Sequence, residues 1–179
     1  MQKLKVKTIF IKILALKNII LLRHAKAEKL KSEITDFERN LDERGKNDAF
    51  LMAKQLENTP FIPDQIIASP ANRTKQTANI FSKTLHVKNL ELDTNIYEAD
   101  ISDLIHVIKE IDDQYNQVLL VGHNPSITGL VGYLTKTFIV HIPTSGIVVV
   151  ELPMITWKQT QQRIGKIIWH TSPKEMPLF

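Results

Sequence analysis

The chain has 179 residues, 43% of them apolar and 23% charged, with a formal net charge of +4 and no cysteine. That length suits one domain able to bury most of its apolar surface, and the composition is that of a soluble globular protein rather than a disordered one. The missing cysteines exclude a disulfide framework, a thiolate metal site and a Cys nucleophile, and the modest charge, with no dense basic patch among aromatics, argues against nucleic acid as a partner.

Residues 1–16, "MQKLKVKTIFIKILAL", combine basic and apolar parts in the manner of a signal peptide. Lys12 interrupts the apolar run, no small-residue cleavage site follows, and the run is too short to span a bilayer. The segment is therefore read as an N-terminal extension whose order the sequence leaves open: export, a non-native extension, a misread start codon and an ordered strand are the alternatives. Much of the positive charge sits here, at Lys3, Lys5, Lys7 and Lys12, and continues to Lys17. Residues 17–179 show no repeat and no low-complexity linker and are read as a single domain, a cytoplasmic monomer without stable membrane insertion.

"NIILL" (18–22) predicts a buried strand that ends abruptly in Arg23-His24. Asp42 is placed to cap a helix over 43–58, where Ala49, Met52, Ala53 and Leu56 share one face. "DQIIA" predicts a second strand leading into "SPANR", and a helix over 71–85 follows. In its "ANRTKQTA" a plain packing reading makes Ala78, Ile80 and Phe81 core and leaves the polar residues outside. Ile101, Leu104, Ile105, Ile108 and Ile111 recur at helical spacing, and "VLLV" then predicts a strand running into "GHNP" with His123. Short apolar runs alternating with helices indicate an α/β fold with a mainly parallel sheet.

In such a sheet ligands bind beyond the carboxyl ends of the strands, so three strand ends can share one pocket holding Arg23, His24, Arg73 and His123. Two arginines and two histidines suit a compact anion, phosphate above all, because the guanidinium fork matches its oxygens. Helix N-termini after "SPA" and "NPS" can add backbone N–H groups. Neutral histidine is also a competent nucleophile toward phosphorus when its other ring nitrogen holds the proton, and positive neighbours keep it neutral by lowering its pKa. Blander readings stand beside these: a strand often ends in charged residues simply on reaching the surface, and Arg73 fits a helix-surface ion pair. Lys26 and Arg39 are read as solvated or structural, and Thr144 and Ser145 as bordering the pocket. His86, His106, His141 and His170 fit no metal-ligand spacing and are read as bystanders.

"LLRHAKAE", "DFERNLDERGKNDA", "ASPANRTKQTA", "NIYEA" and "VLLVGHNPSITGL" resemble, in order and spacing, the histidine phosphatase superfamily, and within it the short SixA-type phosphohistidine phosphatases. The resemblance runs from about Lys17 to Pro177, with "IPTSG" and the late tryptophan resembling the last strands. It implies a three-layer sandwich in minimal form, since the short stretch between "SPANR" and "NIYEA" leaves no room for a large helical cap. It also implies that His24 takes the phosphoryl group while Arg23, Arg73 and His123 bind its oxygens, with no metal or organic cofactor because cationic side chains supply the charge. Glu98 stands where the superfamily often places a proton donor, and is preferred to Asp103, which should face water. An open groove favours a phosphorylated protein as substrate, such as a histidine-containing phosphotransfer domain. The alternatives are a phosphomonoesterase for a small metabolite or nucleotide and a phosphoprotein-binding module with little turnover.

Overall fold

Ile19 and Leu21 of strand β1 (Lys17–Arg23) face one side of the sheet, and Ile20 and Leu22 face the other. All four are fully buried, which is why the strand reads as an unbroken aliphatic run rather than an alternating one. The structure, a computed structural model, describes residues 16–30, 32–139 and 141–175, so the N-terminal extension lies, but for Leu16, outside the described residues.

Five further strands follow: β2 (Gln65–Ala68), β3 (Leu90–Leu92), β4 (Gln117–Gly122), β5 (Ile147–Leu152) and β6 (Lys166–Thr171). They form one sheet in the order β3-β2-β4-β1-β5-β6. β3, β2, β4 and β1 are mutually parallel, while β5 runs antiparallel to β1 and β6 antiparallel to β5. The expected mainly parallel sheet is present, with an antiparallel pair on one flank. Helices α1 (Glu43–Glu57) and α2 (Asn72–Thr84) supply the core on the face of Ile20 and Leu22. Helices α3 (Ile101–Lys109) and α4 (Ser126–Leu134), with the fully buried Trp157, supply it on the other, completing an α/β/α sandwich.

The helix starts follow local chemistry. Asp42 accepts from the Gly45 amide at 2.7 Å, the expected N-cap. Gly45 in turn lies where a Cβ would stand 2.0 Å from the Lys26 carbonyl oxygen, so the first turn of α1 presses directly on the chain just after β1. Asp100 and Asp103 form a reciprocal capping box on α3, which keeps Asp103 outward as expected.

The packing reading of α2 needs correction. Ile80 is only partly buried, whereas the polar Arg73, Thr74 and Thr77 are buried. Their polar atoms are satisfied inside: Thr74 Oγ1 donates to the Ala71 carbonyl at 2.7 Å, and Thr77 Oγ1 donates to the Arg73 carbonyl at 2.7 Å while accepting from the Ala25 amide at 3.0 Å. Lys17, counted above with the basic terminus, is also buried, its Nζ donating to the carbonyls of Asp113 and Tyr115 and to Asn116 Oδ1. No helix among the described residues is long and apolar enough to cross a membrane.

Candidate active site

The Arg23-His24 pair is held from both sides of β1. The His24 amide donates to the Gly122 carbonyl at 3.0 Å and the Arg23 amide to the Gly146 carbonyl at 3.2 Å, while the Ser145 amide donates back to the Arg23 carbonyl at 3.1 Å. On the His24 ring, Nδ1 lies 2.8 Å from the Ala25 carbonyl oxygen. A carbonyl can only accept, so Nδ1 carries the proton and Nε2 keeps its lone pair. Burial, with help from Arg73, Arg23 and Arg39, lowers the His24 pKa to about 4, against the opposing effect of the Ala25 hydrogen bond. The sequence pointed to the positive neighbours; desolvation is the larger cause.

Arg73, in the first turn of α2, reaches across to Asp36 and His123. Its Nη1 donates to the Asp36 carbonyl, and its Nη2 lies 2.7 Å from Asp36 Oδ2 and 3.2 Å from His123 Nδ1. Because guanidinium has only donors, His123 Nδ1 must accept and Nε2 must carry the proton, which it donates to Ser69 Oγ at 2.9 Å. The His123 pKa falls to about 3, first through burial and then through His24 and Arg73, with Asp36 opposing. Partial burial would raise the Asp36 carboxyl, but Arg39 and Arg73 outweigh it and hold that group below its usual range.

The His24 and His123 rings sit 5.1 Å apart, and Tyr97 stands edge-on to His123 at 5.7 Å. Strand ends β1 and β4 and the start of α2 thus bring Arg73, His24 and His123 together, as expected. Arg23 joins them through β1, its Nη1 lying 2.8 Å from His141 Nε2 and 3.0 Å from the Ile142 carbonyl oxygen. Its Nε is buried and has no hydrogen-bond partner among the described residues. Buried polar groups without partners are uncommon, and this one belongs to the residue that directly precedes His24.

Glu98 is exposed and adopts a left-handed backbone with φ of 52°. It makes no hydrogen bond to Arg23, His24, Arg73 or His123 among the described residues; its neighbour Tyr97, packed on Phe37 and His123, is the one that reaches the site. Arg39 is structural, as expected, donating to the Glu28 carbonyl and pairing with Asp36 Oδ1 at 2.7 Å. Lys26 pairs with Asp42 at 3.1 Å. Ser145 borders the site in a left-handed conformation, φ 60°, with a buried Oγ that has no partner among the described residues.

Four residues escaped the sequence reading, Tyr97 among them. Asp36 and Ser69 lie inside "DFERN" and "SPANR", but nothing local shows that they orient Arg73 and His123. His141, read as a bystander, contacts Arg23 directly; metal-ligand spacing was the wrong criterion for a histidine whose partner is a guanidinium.

A family model described as histidine phosphatase superfamily (branch 1) matches residues 19–115. An uncharacterised protein of Mycobacterium leprae (strain TN) is 30% identical over 144 residues, covering 73% of this chain and 87% of that protein. Among solved structures, a protein histidine phosphatase SixA complexed with tungstate superposes with a TM-score of 0.76 at 22% identity, over 88% of this chain and 97% of that one. A candidate phosphohistidine phosphatase SixA from Nakamurella multipartitia gives 0.78 at 18% identity, over 89% and 97%. A mycobacterial glucosyl-3-phosphoglycerate phosphatase complexed with VO3 gives 0.65 at 15%, over 87% and 100%. At these identities the structural likeness speaks for the fold.

Proposed function

Because the chain belongs to the histidine phosphatase superfamily, we propose that it is a phosphatase that works through a covalent phosphohistidine on His24, with a phosphorylated protein as its substrate. The observation that carries the reading is the bond from His24 Nδ1–H to the Ala25 carbonyl, which leaves the Nε2 lone pair free on a ring 5.1 Å from that of His123, itself in contact with Arg73.

On this reading Nε2 attacks phosphorus, the new N–P bond forming as the bond to the leaving group breaks. Arg23 and Arg73 stabilise the charge spread over the equatorial oxygens, and the His123 Nε2–H supplies a further donor by turning from Ser69 to the anion. Water then attacks the phosphohistidine, returning the electron pair to Nε2 and releasing phosphate. A pKa of about 4 keeps His24 unprotonated at neutral pH, so no general base is needed to free it. The cationic side chains provide the charge stabilisation, so the step balances without a metal.

Phosphohistidine on a phosphotransfer domain is preferred as substrate. Between α2 and α3 the chain has room only for β3 and a single 3-10 turn at Thr94–Ile96, and a site without a helical cap is accessible to a folded partner. A small phosphoester is the second reading, supported by the glucosyl-3-phosphoglycerate phosphatase likeness, with Glu98, next in sequence to the Tyr97 that packs on His123, as its proton source. Brief incubation with labelled substrate should leave acid-labile, base-stable phosphate on the parent and none on His24→Ala, which should also lose turnover. Normal turnover by that variant would refute the nucleophile assignment. Comparing phosphorylated phosphotransfer domains with p-nitrophenyl phosphate separates the two substrate readings, and loss of activity in EDTA that added metal restores would overturn the cofactor-free scheme.

A further inference from the structure

Arg23 Nη1 carries two hydrogens, and the structure gives each an acceptor: His141 Nε2 at 2.8 Å and the Ile142 carbonyl at 3.0 Å. Both acceptors belong to the loop between α4 and β5, and that loop is itself fastened. The Ile142 amide donates to Thr128 Oγ1 at 3.1 Å, Thr128 Oγ1 donates to Asn124 Oδ1 at 2.9 Å, and Asn124 Nδ2 donates to the Ile142 carbonyl at 2.9 Å. Guanidinium and the Asn124 amide both donate, and a neutral ring accepts at one nitrogen only; the shorter, charge-assisted contact with Arg23, 2.8 Å against 3.2 Å, assigns the acceptor to His141 Nε2 and the proton to Nδ1. Asn124 Nδ2, 3.2 Å from that Nδ1, is then a packing neighbour and not a hydrogen-bond partner.

With both Nη1 hydrogens engaged, the plane of the guanidinium is set, and the buried, unpartnered Nε is left on the opposite edge. We propose that His141 is a positioning residue for Arg23: together with the Ile142 carbonyl it locks the guanidinium so that Nε and Nη2 face the phosphoryl oxygens. The role rests on the reading of Arg23 as a phosphate ligand given above. His141 is itself exposed, so its ring contributes little to the core, and its contact with Arg23 is the main thing a substitution would remove. A fixed fork binds an oxyanion without first losing its own rotational freedom.

The test compares His141→Phe, which keeps a ring but no acceptor, with His141→Gln, which keeps an acceptor. The probes are vanadate inhibition, p-nitrophenyl phosphate turnover and the guanidinium signals of Arg23 in nitrogen-detected NMR. His141→Phe should weaken vanadate and lower kcat/KM about tenfold or more, the size expected on losing a hydrogen bond to a charged group, and should turn a slowly rotating Arg23 guanidinium into a freely averaging one. His141→Gln should recover most of all three. Parent-like vanadate affinity and an unchanged Arg23 signal in His141→Phe would overturn the proposal, as would a Gln variant no better than Phe. If the parent neither turns over nor binds vanadate while Arg23 is anchored in it and released in His141→Phe, the anchoring of Arg23 by His141 stands and the phosphatase reading, with the phosphate-facing role that rests on it, fails.

Discussion

Two histidines held neutral by burial make the fold acid-sensitive in a way that can be isolated. His24 and His123 titrate at about 4 and about 3 in the folded chain against an ordinary 6.5. A group whose folded pKa is depressed binds fewer protons in the native state, so acid favours the unfolded chain, and the loss begins once pH drops below about 6.5. Each such histidine forfeits about 1.4 kcal/mol per pH unit in that region, hence about 2 kcal/mol between pH 7.5 and pH 5, and about 4 kcal/mol for the pair. For a chain of this size that corresponds to a Tm about 8–16 °C lower at pH 5. The result needs only that both folded values lie below 5. Asp36, held low by Arg39 and Arg73, titrates beneath this window and does not contribute. The assay is calorimetry of the parent and of a His24→Asn/His123→Asn double variant across that pH range without phosphate. The parent's Tm should fall more steeply than the variant's by the stated margin, and parallel curves would refute the argument that burial of neutral imidazoles is what the site costs the fold.

Gly45→Ala should lower stability by at least the roughly 1–3 kcal/mol of an overpacked contact, since its methyl would meet the rigid Lys26 carbonyl; an unchanged urea midpoint would contradict that close approach. Thr77→Val leaves the Ala25 amide without an acceptor and should cost about 1–3 kcal/mol, with a parallel drop in turnover because the Ala25 carbonyl orients His24; denaturant titration beside kcat/KM reads both. Glu98→Gln should slow phosphoester hydrolysis by about a hundredfold if it is the general acid and phosphohistidine hydrolysis much less, because a leaving imidazole can be protonated beforehand. Equal losses on the two substrates would indicate positioning instead, and no loss would remove Glu98 from the site.

What could be read from the chain alone was whatever depends on neighbours in sequence. Ile19 to Leu22 declare a strand buried on both faces, Asp42 announces α1, and the basic residues at three strand ends announce an anion site once the strands are parallel. Contacts between distant residues could not be read this way. Arg73 meets Asp36 across 37 residues, His123 meets Ser69 across 54, and Arg23 meets His141 across 118. Each of those side chains looks ordinary in its own segment, and only the sheet order reveals its partner. Burial of Thr74 and Thr77 was hidden for the same reason: a hydroxyl reads as surface until the chain brings it an acceptor or donor. The antiparallel direction of β5 and β6 was not legible, because aliphatic runs such as "GIVVV" carry no sign of direction.

β1 lies between β4 and β5, so the His24 amide is bonded to the end of β4 and the Arg23 amide to Gly146, just before β5. Such protons exchange with solvent only when the sheet itself comes apart, so their protection should equal the free energy of global unfolding. Asp36, by contrast, lies outside the sheet, held by side-chain pairs with Arg39 and Arg73 rather than by a strand ladder, so its backbone should exchange sooner. His24 should therefore belong to the slowest-exchanging unit of the protein and the brace on Arg73 to a faster one. An anion bound as proposed would meet one wall as permanent as the fold and another that can yield to its shape.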